Sequence, residues 1–307
     1  MKVLIVGLGS IAKKHIAALF SINKDVKVYA LRSNSNKNNV DGVANIYDLS
    51  DIKIAFDFAI ISNPTHLHFK CIEDLTVLGI PLFIEKPALH SLVNSDFLLN
   101  TLERKNIITY VACNLRFHPC VLFLKNKMQK KKLKVNEVNV YCGSYLPDWR
   151  PNQDFRTVYS ANANMGGGVH LDLFHELDYT TWLFGFPTKS NSLLRSSSTL
   201  NITAFDYANF ILEYDTFTAN IILNYYRKKP KREIEIVLEN SIWTIDLINN
   251  NIKKGTGKFL FKSDDFQIKD TYNLQLLYFI DCLKRKQTPM NSFKESLENL
   301  KICLQNE

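Results

Sequence analysis

Met1-Lys2-Val3-Leu4-Ile5-Val6-Gly7-Leu8-Gly9-Ser10-Ile11-Ala12 opens the chain, and this stretch decides the fold. Val3 to Val6 form a short, wholly apolar run of the kind that makes a strand buried on both faces. Ile11 to Phe20 follow at helical spacing, with Ile11, Ala12, His15, Ile16 and Leu19 near one face. Between strand and helix stands G-x-G-x-x-A. The first glycine permits a tight turn, the second lets backbone approach a pyrophosphate, and Ala12 allows close helix–strand packing. The N–H groups of the helix N-terminus then face the phosphates. Gly7, Gly9, Ser10 and Ile11 are therefore candidate dinucleotide-binding residues.

Outward from this turn, strands and helices alternate. Strands are expected over Val26–Ala30, Phe56–Ile61, Pro81–Ile84 and Ile107–Ala112, and helices over Thr65–Leu78 and Ser91–Lys105. Such alternation predicts a parallel sheet covered on both faces. Beyond a linking helix, Pro119–Gln129, the pattern changes. A strand is expected over Val135–Cys142, an aromatic and polar loop over Ser144–Met165, and a helix over Val169–Phe184. Residues 191–254 then show period-2 alternation, as in Phe210–Tyr214 and Glu233–Val237, which predicts a mostly antiparallel sheet. Amphipathic helices over Asn273–Arg285 and Phe293–Leu304 close the chain. The expected class is α/β, with a Rossmann domain over 1–118 and a second α/β domain over 119–307. A length of 307 residues suits two domains.

Composition removes several classes of function. No apolar run approaches the roughly 18 residues of a membrane span, and the apolar run before Gly7 is too short for a signal peptide. A cytoplasmic protein with no membrane partner is the expectation. The six cysteines, at 71, 113, 120, 142, 282 and 303, contain no C-x-x-C pair and are expected to be reduced structural thiols. The net charge of +8 includes Lys130-Lys131-Lys132, which ends a helix, and Arg227–Arg232, which reads as a charged connection between strands. Neither carries the interleaved aromatics of a nucleic-acid reader, so no nucleic-acid partner is expected.

The end of the second strand bears on cofactor choice. An acid there binds a ribose 2′-OH, whereas arginine accommodates a 2′-phosphate. Ala30-Leu31-Arg32-Ser33 has no acid. Arg32 and Ser33 suit a phosphate monoester, which favours NADP(H), with NAD(H) the alternative. Ser62, Asn63, Pro64 and His68 follow another strand, where loops at the carboxyl ends line the ligand crevice.

With Glu85-Lys86-Pro87 after a further strand, and Gly166-Gly167-Gly168-Val169-His170-Leu171-Asp172-Leu173-Phe174-His175-Glu176-Leu177-Asp178-Tyr179 later on, the chain resembles the glucose–fructose oxidoreductase / inositol dehydrogenase (Gfo/Idh/MocA) family over nearly its whole length. The resemblance implies a Rossmann domain followed by a large open sheet. The outer face of that sheet forms the family's oligomer interface, so a homodimer or homotetramer is expected. It implies an NAD(P)-dependent oxidoreductase acting on sugar or related hydroxyl and carbonyl carbons. Glu85 joins the cofactor set. Lys86, Asp172 and His175 become the catalytic candidates, and Lys86 also faces the cofactor. Here the acid and histidine stand three residues apart rather than four, and Phe174 takes the place of a serine found in one subset.

The chemistry suits these residue types. Hydride transfer at a hydroxyl carbon moves a proton on or off oxygen, and imidazole, with an ordinary pKa of about 6.5, is matched to that task. An acid one helical turn away orients the ring, and a lysine hydrogen-bonds the reacting oxygen. The five-residue interval from His170 to His175 points the two side chains apart on a helix, so no metal is expected.

Asn114 and Arg116, after the last Rossmann strand, correspond to residues facing the family's substrate crevice. The loop containing Tyr145, Trp149, Arg150, Arg156 and Tyr159 resembles a subset that accompanies sialic-acid-like sugar or surface-polysaccharide biosynthesis. Its aromatics suit stacking on a sugar or base and its arginines suit a carboxylate or phosphate. Asp148 and Asp154 equally suit pairing with those arginines. The expected partner is a sugar or nucleotide sugar, and the loop arginines suit an anionic one. Two alternatives differ in chemistry: an NAD-assisted glycoside hydrolase, and a non-catalytic cofactor-binding regulator of the same fold.

Overall fold

The computed structural model describes residues 1–33, 39–50, 54–130 and 133–305. In chain order the elements are β1 (Lys2–Val6), α1 (Ser10–Ile22), β2 (Lys27–Leu31), β3 (Val43–Ile46), β4 (Phe58–Ile61), α2 (His68–Leu75), β5 (Leu82–Ile84), α3 (Ser95–Arg104) and β6 (Thr109–Val111). They continue with α4 (Pro119–Lys130), β7 (Val135–Tyr145), α5 (Val169–Asp172), α6 (His175–Phe184), β8 (Lys189–Arg195), β9 (Tyr207–Glu213) and β10 (Thr218–Asn224). Last come β11 (Tyr226–Leu238), β12 (Ser241–Asp246), β13 (Asn251–Lys254), β14 (Lys258–Lys262), α7 (Asp270–Arg285) and α8 (Phe293–Cys303). Residues 34–38, and Lys131 and Lys132 of the lysine run, lie outside the described residues.

The first sheet is parallel throughout, in the order β3-β2-β1-β4-β5-β6. Val3, Leu4, Ile5, Ala59, Ile60, Ile61, Leu82, Phe83 and Ile84 are completely buried, as a sheet covered on both faces requires. β3 is an element the sequence pattern did not disclose. Val-Ala-Asn-Ile is short, half-exposed and without alternation, and it owes its strand geometry to pairing with β2.

The second sheet runs β14-β13-β12-β11-β7-β10-β9-β8, with β7 and β10 parallel and the other neighbours antiparallel. Val138, Val140, Ile221, Leu223, Ile234 and Ile236 turn inward, while Asn139, Tyr141, Asn220, Ile222, Glu233 and Glu235 alternate onto the opposite face. Residues 227–232 are not a connection between strands. They belong to β11 and contain its register shift against β7, between Tyr226 and Lys231. A bulge of this kind absorbs extra residues while the strand continues.

The chain divides into two compact units, residues 1–114 with 267–298, and residues 115–266 with 299–307. Residues 267–298 thus group with residues 1–114 rather than with 115–266. α7 lies along α1, with Tyr272 edge-on to His15 at 5.7 Å and Phe279 packed on Phe58 and Phe83 at 5.3 and 5.6 Å between ring centroids. An amphipathic pattern announces that a helix is buried, but not against which neighbour. Among the described residues, no helix is long and apolar enough to cross a membrane.

Candidate active site

In the first unit the candidate cofactor residues stand at the carboxyl ends of β1, β2, β4 and β5. Gly7 has φ +84°, and a Cβ placed there would come within 2.9 Å of the Asn63 backbone, so only glycine lets the two turns meet. Ser62 fixes the same junction by donating its hydroxyl to the Val6 carbonyl at 3.0 Å. Gly9 is different: a Cβ there would meet nothing within 4 Å. It occupies the N-cap of α1, and no side chain caps that helix end, which begins with Ser10 and Ile11. The Asn63 side-chain oxygen is buried with no hydrogen-bonding partner among the described residues. An open helix N-terminus and an orphaned buried polar atom beside it fit a dinucleotide.

Arg32 lies at the end of β2 and is buried to 6% exposure. One of its terminal nitrogens donates to the side-chain oxygens of Asn45 (3.2 Å) and Asn39 (3.4 Å), both neutral amides. Ser33, the next residue, is exposed. Glu85 and Lys86 follow β5, the Lys86–Pro87 peptide is cis, and Glu85 accepts from its own neighbour's backbone N–H. His68, the first residue of α2, is buried; that burial, ahead of any hydrogen bond, lowers its pKa. Pro64 precedes the short turn leading into α2.

In the second unit the Gly166–Tyr179 stretch does not form the continuous helix expected over 169–184. α5 ends at Asp172 and α6 starts at His175. At the junction, Leu173 N–H bonds four residues back to Val169, but Glu176 N–H bonds three back to Leu173. Helical spacing therefore does not govern how Asp172 and His175 relate. The glycines before α5 are fixed by close approach: a Cβ on Gly167 would lie 1.9 Å from the Tyr159 carbonyl oxygen. The segment carrying Tyr159 is thereby pressed against the start of α5.

Asp172, 8% exposed, accepts hydrogen bonds from two phenols, those of Tyr159 and Tyr225. Burial and then the Asp172 charge push the pKa of both tyrosines up, with Arg150 opposing this at Tyr159. Both phenols therefore stay protonated and donate to the carboxylate. Trp149 stands edge-on to Tyr225 at 5.4 Å and donates its indole N–H to Ser144 at 2.9 Å. The loop of 144–161 is thus gathered onto the stretch that carries Asp172. Tyr225 escaped the sequence reading because it stands in an ordinary β-rich stretch.

The remaining substrate candidates divide. Arg150 and Arg156 are exposed; Arg156 lies 4.4 Å over the Phe155 ring and 3.9 Å from Asp154. Tyr145 pairs with Tyr226 in the sheet and lies against Lys228 at 5.9 Å. Asn114, in the first unit, donates to Thr271 at 2.6 Å. Arg116 is completely buried and forks onto Asp178 at 2.9 and 2.7 Å, so it holds α6 rather than presenting its fork to a cleft. On the same helix Glu176 is forked by Arg232. Burial pushes the thiols of Cys71, Cys120 and Cys142 up to about 12, which leaves them inert. Among the described residues no cluster of His, Cys, Asp and Glu is arranged to hold a metal ion.

A parallel sheet whose order reverses between β1 and β4, with a glycine turn at that point, defines a dinucleotide-binding Rossmann unit. Residues 1–113 match the model of the GFO_IDH_MocA oxidoreductase family, NAD-binding Rossmann fold. Levoglucosan dehydrogenase of Pseudarthrobacter phenanthrenivorans is 24% identical over 174 residues, 56% of this chain and 43% of that protein. The match thus spans less than half the length of that curated relative. The structure is similar to UDP-N-acetylglucosamine 3-dehydrogenase from Acidithiobacillus ferrooxidans, with TM-score 0.78 and 16% identity over 99% of this chain and 96% of that one. It is also similar to the WlbA dehydrogenase of Bordetella pertussis, solved with NADH and UDP-GlcNAcA, with TM-score 0.81 and 17% identity over 98% and 93%. At these identities the structural likenesses show the fold.

Proposed function

We propose that this protein is a nicotinamide-dependent oxidoreductase that interconverts a hydroxyl and a carbonyl on a sugar or nucleotide sugar. The observation that carries this is the open N-terminus of α1 at the reversal point of the parallel sheet, with the Asn63 oxygen left for a ligand beside it. Gly7, Gly9, Ser10, Ile11, Ser62, Asn63 and Pro64 hold the dinucleotide. The nicotinamide, when bound, supplies the hydride acceptor or donor. Everything else is the work of this chain. Lys86 donates a hydrogen bond to the reacting oxygen. An imidazole nitrogen of His175 takes the hydroxyl proton on oxidation and returns it on reduction. Asp172, held by Tyr159 and Tyr225, orients the ring and stabilises its charged form. Trp149, Arg150 and Arg156 bind the sugar or its anionic group. That the structurally similar proteins carry UDP-sugar names and complexes supports the nucleotide-sugar class.

The finer preference is for NADP(H). It rests on Arg32, whose charge is held by two amides, with no acid paired to it among the described residues. The functional form is a homodimer or homotetramer through the open sheet. Calorimetric titration with NADPH, NADP, NADH and NAD tests the cofactor reading. The expected result is tighter binding of the phosphorylated pair, with that difference abolished in Arg32→Ala. Equal or better binding of NAD(H) by the parent protein refutes the preference. Full turnover of a sugar by both Lys86→Ala and His175→Ala refutes the catalytic assignment.

A further inference from the structure

We propose that two buried histidines, His15 on α1 and His68 on α2, are positioning residues for Lys86, bracing the backbone and side chain on either side of it. The inference rests on the role given to Lys86 above. On one side, His15 Nε2 stands 2.6 Å from Glu85 Oε1. The ring is completely buried between Phe83 at 5.1 Å and Tyr272 at 5.7 Å, and the described residues offer its Nδ1 no partner. Nε2 is therefore its working contact, an N–H donated to a carboxylate. The same Glu85 accepts the Lys86 backbone N–H through its other oxygen at 3.2 Å. Glu85 is thus a rigid link from α1 to the lysine's own peptide.

On the other side, His68 Nδ1 is 3.2 Å from the Pro87 carbonyl oxygen and 3.1 Å from that of Ala88. Its Nε2 is 3.0 Å from the Asn63 carbonyl oxygen. All three partners only accept, and neutral imidazole has one N–H to give. With the proton on Nδ1, His68 holds the two residues after Lys86. With it on Nε2, the ring holds the turn after β4 instead. The nitrogen that faces the lysine's loop is Nδ1, so that is the contact that positions Lys86. Both braces come from helices packed on the sheet, which hold a side chain more closely than a loop holds itself.

The geometry makes a crossed prediction that mere packing does not. Asparagine places its amide N–H where Nδ1 stands, and glutamine places it where Nε2 stands. At position 68, His68→Asn should preserve the brace and His68→Gln should break it. At position 15 the order reverses, with His15→Gln preserving and His15→Asn breaking. The readout is the rate at which Lys86 is acetylated by acetic anhydride, measured by peptide mass spectrometry on the full chain. Circular dichroism and thermal unfolding confirm that each variant is folded. We expect the two preserving variants to stay within about twofold of the parent rate and the two breaking variants to change it severalfold. Where turnover is measured, kcat should fall about tenfold in the breaking variants with KM little changed. Four variants that all match the parent, or that all deviate alike, overturn the proposal. Because acetylation needs no substrate, the crossed pattern can appear even if Lys86→Ala keeps full turnover. In that event the catalytic assignment fails while the brace stands.

Discussion

The two phenols on Asp172 give the most exposed test of the site. Tyr225→Phe and Tyr159→Phe each remove one hydroxyl and leave the ring, so Trp149 keeps its edge-on neighbour at Tyr225. A hydrogen bond to a charged group contributes about 1.5–3 kcal/mol to stability. The two sites differ in what replaces it. Tyr225 is completely buried, so its loss leaves the carboxylate facing a ring edge that water does not reach. Tyr159 is 40% exposed, and water can take its place. Tyr225→Phe should therefore cost about 2–3 kcal/mol and Tyr159→Phe about 1 kcal/mol. The double variant should cost more than the sum, because the first substitution leaves Asp172 one remaining phenol. Denaturant unfolding at neutral pH measures all three. A Tyr225→Phe protein within about 0.5 kcal/mol of the parent, or a Tyr159→Phe that costs more than Tyr225→Phe, would sink the argument.

Arg116→Leu strands the Asp178 carboxylate in a site where both partners are essentially unexposed. It should lose about 3–5 kcal/mol, most of it recovered in Arg116→Leu/Asp178→Leu, and denaturant midpoints with unchanged slopes would show it. His118 accepts the Cys120 N–H on Nδ1 and so gives its one proton from Nε2 toward Leu247 and Asn250. Burial lowers its pKa from 6.5 to about 4 in the folded chain. The unfolded chain therefore binds the extra proton first as pH falls. The neutral ring's contribution is fully present above about 6.5 and is lost as pH drops toward about 4, a span of roughly 3 kcal/mol. Unfolding of the parent against His118→Gln across that range should show the parent losing more stability, and parallel curves would contradict the assignment.

What the sequence disclosed follows the distance over which each feature is determined. The turn at Gly7, the parallel sheet and the alternation of β7 to β12 are written in neighbours a few residues apart, and periodicity recovers them. The return of α7 to α1, the pairing of Tyr225 with Asp172 across 53 residues, and that of Arg116 with Asp178 across 62 are not. Residue types show that an arginine or tyrosine is present, but not which acid folding brings to it. Arg116 illustrates the cost: a fork suited to a carboxylate ligand is equally suited to a carboxylate of the protein itself. The break between α5 and α6 was hidden for a different reason. Val169 to Phe184 contains no proline or interior glycine, so no local signal marks the change from four-residue to three-residue hydrogen bonding at Leu173.

The three acids around that break nevertheless sort themselves by partner. Glu176 and Asp178 are each forked by an arginine, which supplies both geometry and opposite charge. At Arg232 burial pulls the pKa down and the Glu176 carboxylate more than restores it, as expected of an ion pair fixed for structure. Asp172 is served instead by Tyr159 and Tyr225, whose raised pKa values keep them neutral. Neutral donors orient a carboxylate without bringing a countercharge of their own. In the proposed mechanism Asp172 is accordingly the acid of the three that stabilises a charge appearing only during reaction, the imidazolium of a histidine that has just accepted a proton. A carboxylate already bound to arginine has little left to offer that event. Under the proposed mechanism, this difference in partners gives the reacting role to Asp172 and leaves Glu176 and Asp178 to hold the fold.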